Sequence, residues 1–375
     1  MSSATIAPAK TGQEFPCDAC GANMRFDPVS GQMSCDHCGN TAELEVQSAG
    51  PWGGGNAIKE LDFRAALRNQ LADADLEETQ VFKCTSCGAA VEFESAVHAA
   101  ECPFCATPIV GGTGTDRHIK PRGLLAFELD EDAARDAMTK WLGRLWFAPN
   151  GLQEYARKGR RIQGIYMPYW TYDAQTQSRY TGQRGEVYYV TRRDGQGKTR
   201  REARVRWYPA RGQVRRFFDD VLVPASRSLP KQVMDALPPW DLSRLRPYQV
   251  EYLAGLRAEA YTVELDEGYH EARAYMDRTI ERDVRFDIGG DRQRIRDIDT
   301  DISNVTFKHV LLPVWVAVYR FQGKPYQILI NGQSGRVQGE RPYSVWKIAL
   351  AATIAFVAAL GLAYGMMLAE QNGAL

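Results

Sequence analysis

An uninterrupted apolar stretch lies near the C-terminus of this 375-residue chain. From Ile348 to Leu368 every residue is apolar or small except Thr353 and Tyr364. A helix needs about 20 such residues to cross a hydrocarbon core roughly 30 Å thick, and this stretch has that length. The pattern predicts one transmembrane helix over residues 346–368, with a buried core helix as the alternative.

Charged residues flank the predicted span unevenly. Arg336, Arg341 and Lys347 precede it, whereas residues 369–375 after it carry Glu370 and no Lys or Arg. Positive residues favour the cytoplasmic side of a spanning helix. We therefore expect a single-pass protein of the inner (cytoplasmic) membrane, with the N-terminal part of the chain in the cytoplasm and the short tail outside it.

Aromatic and small residues add detail to the predicted span. Tyr343 and Trp346 stand where the near membrane interface is expected, and Tyr364 lies within reach of the far one. Gly361 and Gly365 are four positions apart, a spacing that lets two helices approach closely. The lipid bilayer is therefore an expected partner, and a homo-oligomer through these glycines is a weaker expectation.

The middle of the chain, residues 111–342, mixes helical and strand patterns and predicts one α+β domain. An apolar pattern with helical spacing follows Asp130, which is placed to cap its first turn. Residues 162–180 are aromatic and favour a strand. Gly182 to Gly185 is the expected turn before a further strand.

Two parts of this domain resemble each other in the order of their elements. Phe127–Glu131 precedes the first predicted helix, and the similar run Val263–Glu267 precedes a second one that is expected to end near Asp283. A Pro-x-Trp run then follows in each part, within 166–170 and within 311–315, and leads into a predicted hairpin. The sequence predicts a diverged internal helix-hairpin duplication.

The tryptophans of the two Pro-x-Trp runs, Trp170 and Trp315, have two interpretations. A proline lacks the N–H that a strand ladder needs, so it suits the start of a strand, and the tryptophan then fills the core between helix and sheet. The alternative is an aromatic ligand pocket.

The charges balance overall, with 46 Lys plus Arg against 46 Asp plus Glu. No global field draws this chain to nucleic acid or to an anionic surface. Basic residues do concentrate locally at 157–161 and between Arg192 and Arg206, where a long hairpin tip is predicted. A solvated loop, a contact with anionic lipid and nucleic-acid binding all remain open for these clusters, the last being the least favoured.

Eight cysteines form two sets of paired Cys-x-x-Cys knuckles. They are Cys17, Cys20, Cys35, Cys38, Cys84, Cys87, Cys102 and Cys105. The step between knuckles is 15 positions in both sets, from Cys20 to Cys35 and from Cys87 to Cys102. Four thiolates at this spacing are typical of structural zinc. We predict two structural Zn²⁺ sites, with an iron centre or a thiol redox pair as minority alternatives.

This arrangement predicts the domain order. An N-terminus of residues 1–14 is expected to be disordered, zinc ribbons follow at 15–47 and 81–110, and a linker with a short helix joins them at 48–80. Modules of this size cannot bury enough apolar surface to fold without metal. With the transmembrane helix, the predicted fold class is α+β with two small zinc ribbons.

The sequence offers little support for catalysis. Each predicted metal site is complete with sulfur, whereas a catalytic zinc keeps a position open. The run Gly197-Lys198-Thr199 is not a phosphate-binding loop, because Arg192 stands where such a loop needs glycine. The five histidines are scattered, and no pair of nucleophile and base is evident. We expect that the protein is not an enzyme.

The paired ribbons, the stretches 145–150, 166–173 and 312–333, and the C-terminal helix together resemble a known family. It comprises bacterial double zinc-ribbon membrane proteins (transcription factor IIB type) with a single span, often labelled primosomal protein N' (replication factor Y), superfamily II helicase. The missing nucleotide motifs contradict that label. All eight cysteines match the family pattern, although Ala106 replaces the usual glycine of the last knuckle.

The resemblance implies a link to phage-shock-protein-A-type coat proteins and to SPFH-domain proteins, and so a role in envelope stress. We expect a tail-anchored adaptor or scaffold that uses its ribbons to bind a cytoplasmic partner. A membrane-tethered protein that binds nucleic acid through its ribbons is the alternative.

Overall fold

The computed structural model describes residues 15–28, 30–44, 58–92, 99–105, 107–110, 114–149, 162–193, 199–321 and 324–371. Several predicted features lie wholly or partly outside these residues. They include the N-terminus 1–14, the end of the first ribbon with the start of the linker at 45–57, residues 93–98 and Ala106 of the second ribbon, the basic cluster 157–161, residues 194–198 of the predicted hairpin tip and the end of the C-terminal tail.

The fold is mixed α+β and rich in sheet. Its strands are β1 (Arg25–Asp27), β2 (Gln32–Ser34), β3 (Thr41–Ala42), β4 (Leu61–Asp62), β5 (Leu76–Lys83), β6 (Ala90–Glu92), β7 (Ala99–Glu101), β8 (Pro108–Val110), β9 (Gly114–Ile119), β10 (Gly123–Leu124), β11 (Gln163–Arg193), β12 (Thr199–Pro224), β13 (Arg246–Pro247), β14 (Arg257–Ala258), β15 (Arg292–Phe321), β16 (Lys324–Asn331) and β17 (Val337–Gly339). Its helices are α1 (Phe63–Leu67), α2 (Glu131–Gly143), α3 (Lys231–Met234), α4 (Leu265–Ile288) and α5 (Val345–Gln371).

One nine-stranded sheet forms the centre of the protein. Its main path runs β12-β11-β15-β10-β13, and β16 joins it by pairing with β15. The strands β11 and β15 are antiparallel and pair along most of their length, from Gln163 opposite Val316 to Gly185 opposite Arg292. Smaller sheets are formed by β1-β2-β3, by β6-β5-β9 and by β7-β8.

Alternate residues of β11 point to opposite faces of the central sheet, as strand geometry requires. Tyr166 lies in a core with α2, whereas Ile165, Met167 and Tyr169 lie in a second core that contains Met234 of α3. Further along the first face, α4 covers the sheet. Because both faces are covered, the strands at the centre of the sheet are apolar on both sides.

Helix α2 begins where its predicted capping residue stands. The Asp130 side chain accepts a hydrogen bond from the Ala133 backbone N–H at 2.7 Å, which caps α2. The second of the two predicted helices corresponds to α4, which extends to Ile288 rather than ending near Asp283. The apolar stripe continues through the buried residues Val284 and Ile288, and the helix stops at Gly289, which has a φ of 65°.

The predicted turn between Gly182 and Gly185 is wrong, because β11 runs through it without a break. These glycines mark close contact between neighbouring strands instead. A Cβ on Gly182 would lie 2.4 Å from the Arg294 carbonyl oxygen, and one on Gly185 would lie 2.8 Å from the side chain of Val205. Glycine is needed here for space rather than for a turn.

Both Pro-x-Trp tryptophans are buried, which confirms the interpretation as core residues. The indole N–H of Trp170 donates to the Val263 carbonyl at 2.9 Å, and that of Trp315 donates to the Leu129 carbonyl at the same distance. Each acceptor lies just before a helix, α4 or α2. Each tryptophan therefore fixes the start of a helix onto the sheet.

The C-terminal helix α5 is long and apolar enough to cross a membrane over Val345–Leu368. No residue in the apolar window of this helix is buried in the protein. A core helix of a soluble protein would bury one face, so this exposure favours the spanning interpretation.

A buried charge network connects Glu60, just before β4, with β11, β12 and β15 of the central sheet. The Lys308 ammonium group lies 2.7 Å from the Asp220 carboxylate, 3.2 Å from that of Asp173 and 3.1 Å from that of Glu60. Lys308 and Asp173 are almost fully buried. Burial raises the pKa of Asp173 to about 6, although the Asp220 backbone N–H and Lys308 act to lower it.

Replacing this lysine tests the network. We expect Lys308→Met to lower the free energy of unfolding by about 3 to 5 kcal/mol, because it leaves carboxylates buried without their cation. Lys231 is the matched control, since it also contacts two carboxylates but is exposed. Lys231→Met should cost about 1 kcal/mol or less in chemical denaturation of the full-length protein in detergent. Equal effects of the two substitutions would contradict the account.

Candidate metal centres

The four Cys-x-x-Cys knuckles share one backbone geometry. In each, the backbone N–H of the first cysteine donates to the carbonyl of the residue five positions later. The pairs are Cys17 to Ala22 at 2.8 Å, Cys35 to Asn40 at 2.9 Å, Cys84 to Ala89 at 2.8 Å and Cys102 to Thr107 at 2.9 Å. This bond closes a tight turn that presents both thiols of a knuckle to the same side.

Glycine after the second cysteine allows this turn. Gly21, Gly39 and Gly88 have φ angles between 72° and 76°, a region that side chains with a Cβ rarely adopt. A Cβ at these three positions would meet open space, so the backbone angle alone requires glycine. The glycine after the second cysteine therefore serves the turn at these three positions.

The knuckles bring the eight cysteines together as two tetrads, with all sulfurs of a tetrad within 4.8 Å of one another. The tetrads are Cys17, Cys20, Cys35 and Cys38, and Cys84, Cys87, Cys102 and Cys105. Two Sγ–Sγ distances in each tetrad are 3.5 to 3.6 Å, those of Cys17–Cys38, Cys20–Cys35, Cys84–Cys105 and Cys87–Cys102. A tetrahedral zinc ion with bonds of about 2.3 Å separates its sulfurs by roughly 3.8 Å, so the tetrads fit zinc.

The thiols in each tetrad shift one another's pKa. In the second tetrad the Cys87 and Cys102 thiols form a hydrogen bond with each other. This bond lowers the pKa of Cys102 to about 5 and raises the pKa of Cys87. In the first tetrad the Asn40 backbone N–H acts to lower the pKa of Cys38, but hydrogen bonding with Cys20 and burial raise it to about 12. Four thiolates so close together repel each other, and a bound dication removes that repulsion. The chemistry of these donors therefore fits two structural zinc sites, each complete with four sulfurs.

The first zinc ribbon packs against one face of the central sheet. Phe26 and Met33 from its hairpin lie in the same core as α2 and the sheet. The Phe26 ring meets the Tyr252 ring edge-on with centroids 5.2 Å apart, and the Phe26 backbone N–H donates to the Ala254 carbonyl at 3.0 Å. This ribbon is therefore part of the main hydrophobic core.

The second zinc ribbon packs against the opposite face. Its Phe104 is fully buried in the core that contains Met167 and Leu312. The Gln327 side chain donates to the Phe104 carbonyl, and the Ala260 backbone N–H donates to the Ala90 carbonyl at 2.9 Å. The metal sites thus stabilise modules that cover the two faces of a single sheet.

Ionisable residues that the sequence did not single out lie beside the second ribbon. Glu259 is buried and accepts hydrogen bonds from the hydroxyls of Ser226 and Ser228. Burial raises the pKa of Glu259 to about 8. The Nε2 atom of His118 on β9 lies 3.5 Å from Glu77 and 3.4 Å from Glu92. Nothing in the local sequence marks these residues, because their partners are distant in the chain.

Three carboxylates outside the tetrads also lie close together, on Asp173, Asp219 and Asp220. The Lys308 ammonium group already contacts two of them, Asp173 and Asp220. This cluster therefore has its positive charge from the chain itself and does not resemble a vacant cation site.

No family model matches the chain, and no solved structure matches it. The chain is similar to the uncharacterized protein YdjG of Bacillus subtilis (strain 168), with 26% identity over 336 residues. The alignment covers 89% of this chain and 92% of that protein. It gives no support to the primosomal protein N' label or to a link with phage-shock-protein-A-type proteins.

Removal of the metal tests whether the ribbons belong to the core. Structural zinc contributes apparent binding free energies of about 10 kcal/mol or more. We expect Cys102→Ser, or chelation of the zinc, to reduce amide hydrogen-exchange protection in β11 and β15 as well as in the second ribbon. The exposed Ser30→Ala serves as the control. Loss of protection confined to the ribbon would contradict the shared core.

The pH dependence of stability tests the His118 contacts. Hydrogen bonds and charge from Glu77 and Glu92 raise the pKa of His118 from 6.5 to about 9 against the opposing effect of burial. A raised pKa gives stability that is fully present below pH 6.5 and is lost as the pH rises through about 9.

We therefore expect His118→Gln to cost about 2 to 3 kcal/mol of unfolding free energy at pH 6, and progressively less toward pH 9.5. The matched control is His270→Gln on the exposed side of α4, which should leave the profile unchanged. A cost for His118→Gln that is independent of pH would contradict the assignment.

Proposed function

We propose that this protein is a membrane-anchored, non-catalytic adaptor in which two structural zinc sites hold a rigid platform beside the bilayer. One observation carries the proposal. Both four-sulfur tetrads belong to modules whose hydrophobic faces lie in the core of the sheet that leads into α5. Each metal site has four sulfur ligands and belongs to a module that packs into the core. These two properties support a structural rather than a catalytic role.

The platform is joined to α5 by several contacts. The Tyr319 hydroxyl donates to the Glu340 carbonyl at 3.1 Å, a few residues before the helix. The Ser344 backbone N–H donates to the Phe147 carbonyl at 2.7 Å. The helix therefore continues from the folded body without a long free linker.

A projecting hairpin arm, defined as residues 186–193 and 199–206, is the surface that we propose for a partner. The pairing of β15 with β11 ends at Arg292, opposite Gly185. Beyond this point the arm consists of β11 and β12 alone and is two-stranded. It carries six arginines and two glutamates. Its Tyr189 is 67% exposed. A basic, exposed hairpin suits an acidic protein surface, through charge pairing or strand addition.

The class of partner is proposed from the family resemblance alone. It implies a phage-shock-protein-A-type coat protein or an SPFH-domain protein, and so a role in envelope stress. The inner membrane as location and a cytoplasmic N-terminus are likewise proposed, from the charges that flank α5. A homo-oligomer through Gly361 and Gly365 is proposed from their spacing on the exposed helix.

We also propose that the platform arose by internal duplication. In the aligned Pro-x-Trp runs, Met167 and Leu312 are counterparts, and these two residues pair with each other across β11 and β15. The order of a helix followed by a hairpin occurs twice, as α2 with β11-β12 and as α4 with β15-β16. A pairing of this kind is what a local twofold relation between two copies would produce.

Nucleic-acid binding is the second candidate, because the arginines of the arm also suit phosphate. Tyr188 adds an aromatic ring beneath Arg206, whose guanidinium carbon lies 5.3 Å from the ring centre. The balanced charge of the whole chain disfavours this candidate.

Charge reversal on the arm separates these candidates. We expect the double variant Arg200→Glu with Arg204→Glu to reduce the amount of partner protein recovered by crosslinking in cells at least tenfold. The contacts between the arm and acidic residues of the partner become repulsive in this variant. Arg278→Glu with Arg282→Glu on α4 is the matched control and should retain the partner.

Equal recovery by the two double variants would contradict the role of the arm. If the arm variant instead lost a salt-dependent affinity for DNA that the control kept, the nucleic-acid candidate would replace the adaptor.

A further inference from the structure

The loop after α2, residues 144–149, exposes two large aromatic side chains. Trp146 is 80% exposed and Phe147 is 41% exposed. The tryptophans Trp170 and Trp315 of the sheet are buried, at 0% and 6% exposure. Leaving a tryptophan in water forgoes the burial of about 200 Å² of mostly apolar surface. Two neighbouring exposed aromatic side chains favour contact with a partner surface over solvent.

The structure fixes this loop beside the first turn of α5. Besides the bond from Ser344 to the Phe147 carbonyl, the Lys347 ammonium group donates to the Ala148 carbonyl at 2.8 Å. Both donors lie at the start of the helix that is long enough to span a membrane. The loop and the beginning of the span are therefore at the same level.

The backbone of the loop is held by contacts with the core, and the loop presents Arg144, Trp146 and Phe147 outward. Ala148 is buried in the core on the α2 side of the sheet, and Leu145 packs against the same core. The Ala148 backbone N–H donates to the Leu145 carbonyl at 3.1 Å, which closes the loop. The side chains of Trp146 and Phe147 are thus directed away from the core by a fixed backbone.

The start of α5 carries a matching surface. Tyr343 is 57% exposed and Trp346 is 87% exposed. Tryptophan and tyrosine are enriched where a membrane protein meets the headgroup region, because their rings are amphipathic. Arg144 and Arg341 are exposed on this side, and basic residues near a membrane surface attract anionic lipid. Aromatic rings with flanking cations suit a headgroup layer better than a dry protein interface.

We infer that the loop inserts Trp146 and Phe147 into the headgroup region of the leaflet where α5 begins. This inference rests on the proposed membrane anchor, since the level of the loop is set by α5. The loop and the helix then form two separate contacts with one leaflet. Two contacts fix the tilt of the platform on the membrane, which a single helix does not.

Fluorescence quenching by brominated lipids tests the inference. Full-length protein is reconstituted into liposomes with bromine either near the headgroup or deep in the acyl chain. We expect Trp146→Phe to remove a component of the tryptophan fluorescence that the shallow bromine quenches more than the deep bromine. The extent of quenching of this component should be within about twofold of that of the component removed by Trp346→Phe. Trp207→Phe on β12 should remove no quenchable component.

The outcomes distinguish the loop from the anchor. If Trp346 is quenched but the Trp146 component is not, the loop does not contact lipid, and the inference fails while the anchor stands. If carbonate extracts the protein and neither tryptophan is quenched, the proposed anchor fails and the inference fails with it. An unchanged zinc content and melting temperature of each variant confirm that it is folded.

Discussion

Cysteine thiolates that surround two metal ions are the constraint on which the rest of this protein depends. Each tetrad closes a module too small to fold by hydrophobic burial, and each module then covers one face of the same sheet. The segment from Ala254 to Ala260 contacts both modules, through Phe26 on one side and Ala90 on the other. Metal binding and folding of the sheet are therefore coupled through continuous core contacts.

This coupling gives the protein its architecture. The sheet is stiff because both of its faces are covered near the ribbons, and it extends away from them as long strands over which α4 packs. At one end the chain leaves through Glu340 into α5, and at the other the two-stranded arm projects. A strand rises about 3.3 Å per residue, so β15 spans on the order of 100 Å between these ends. Such a body is suited to holding a binding surface at a distance from an anchor.

Local features of this design could be predicted from the sequence, and distant ones could not. The eight ligands follow from spacing alone, because a knuckle is a local turn. The cap at Asp130 and the apolar span are local for the same reason. The glycines at 182 and 185 do not reveal their role locally, because a turn and a close strand contact need the same residue type, and only the partner strand distinguishes them. The docking of Phe104 on the sheet, and the network around Lys308, depend on residues far apart in the chain.

The most direct test of the central claim is X-ray absorption spectroscopy of the purified full-length protein at the zinc and iron edges, with metal quantified per chain. The account predicts two zinc ions per chain, each with four sulfur neighbours at about 2.3 Å and no nitrogen or oxygen neighbour. Iron at these sites, fewer than two tightly held ions, or a zinc shell containing nitrogen or oxygen would contradict it.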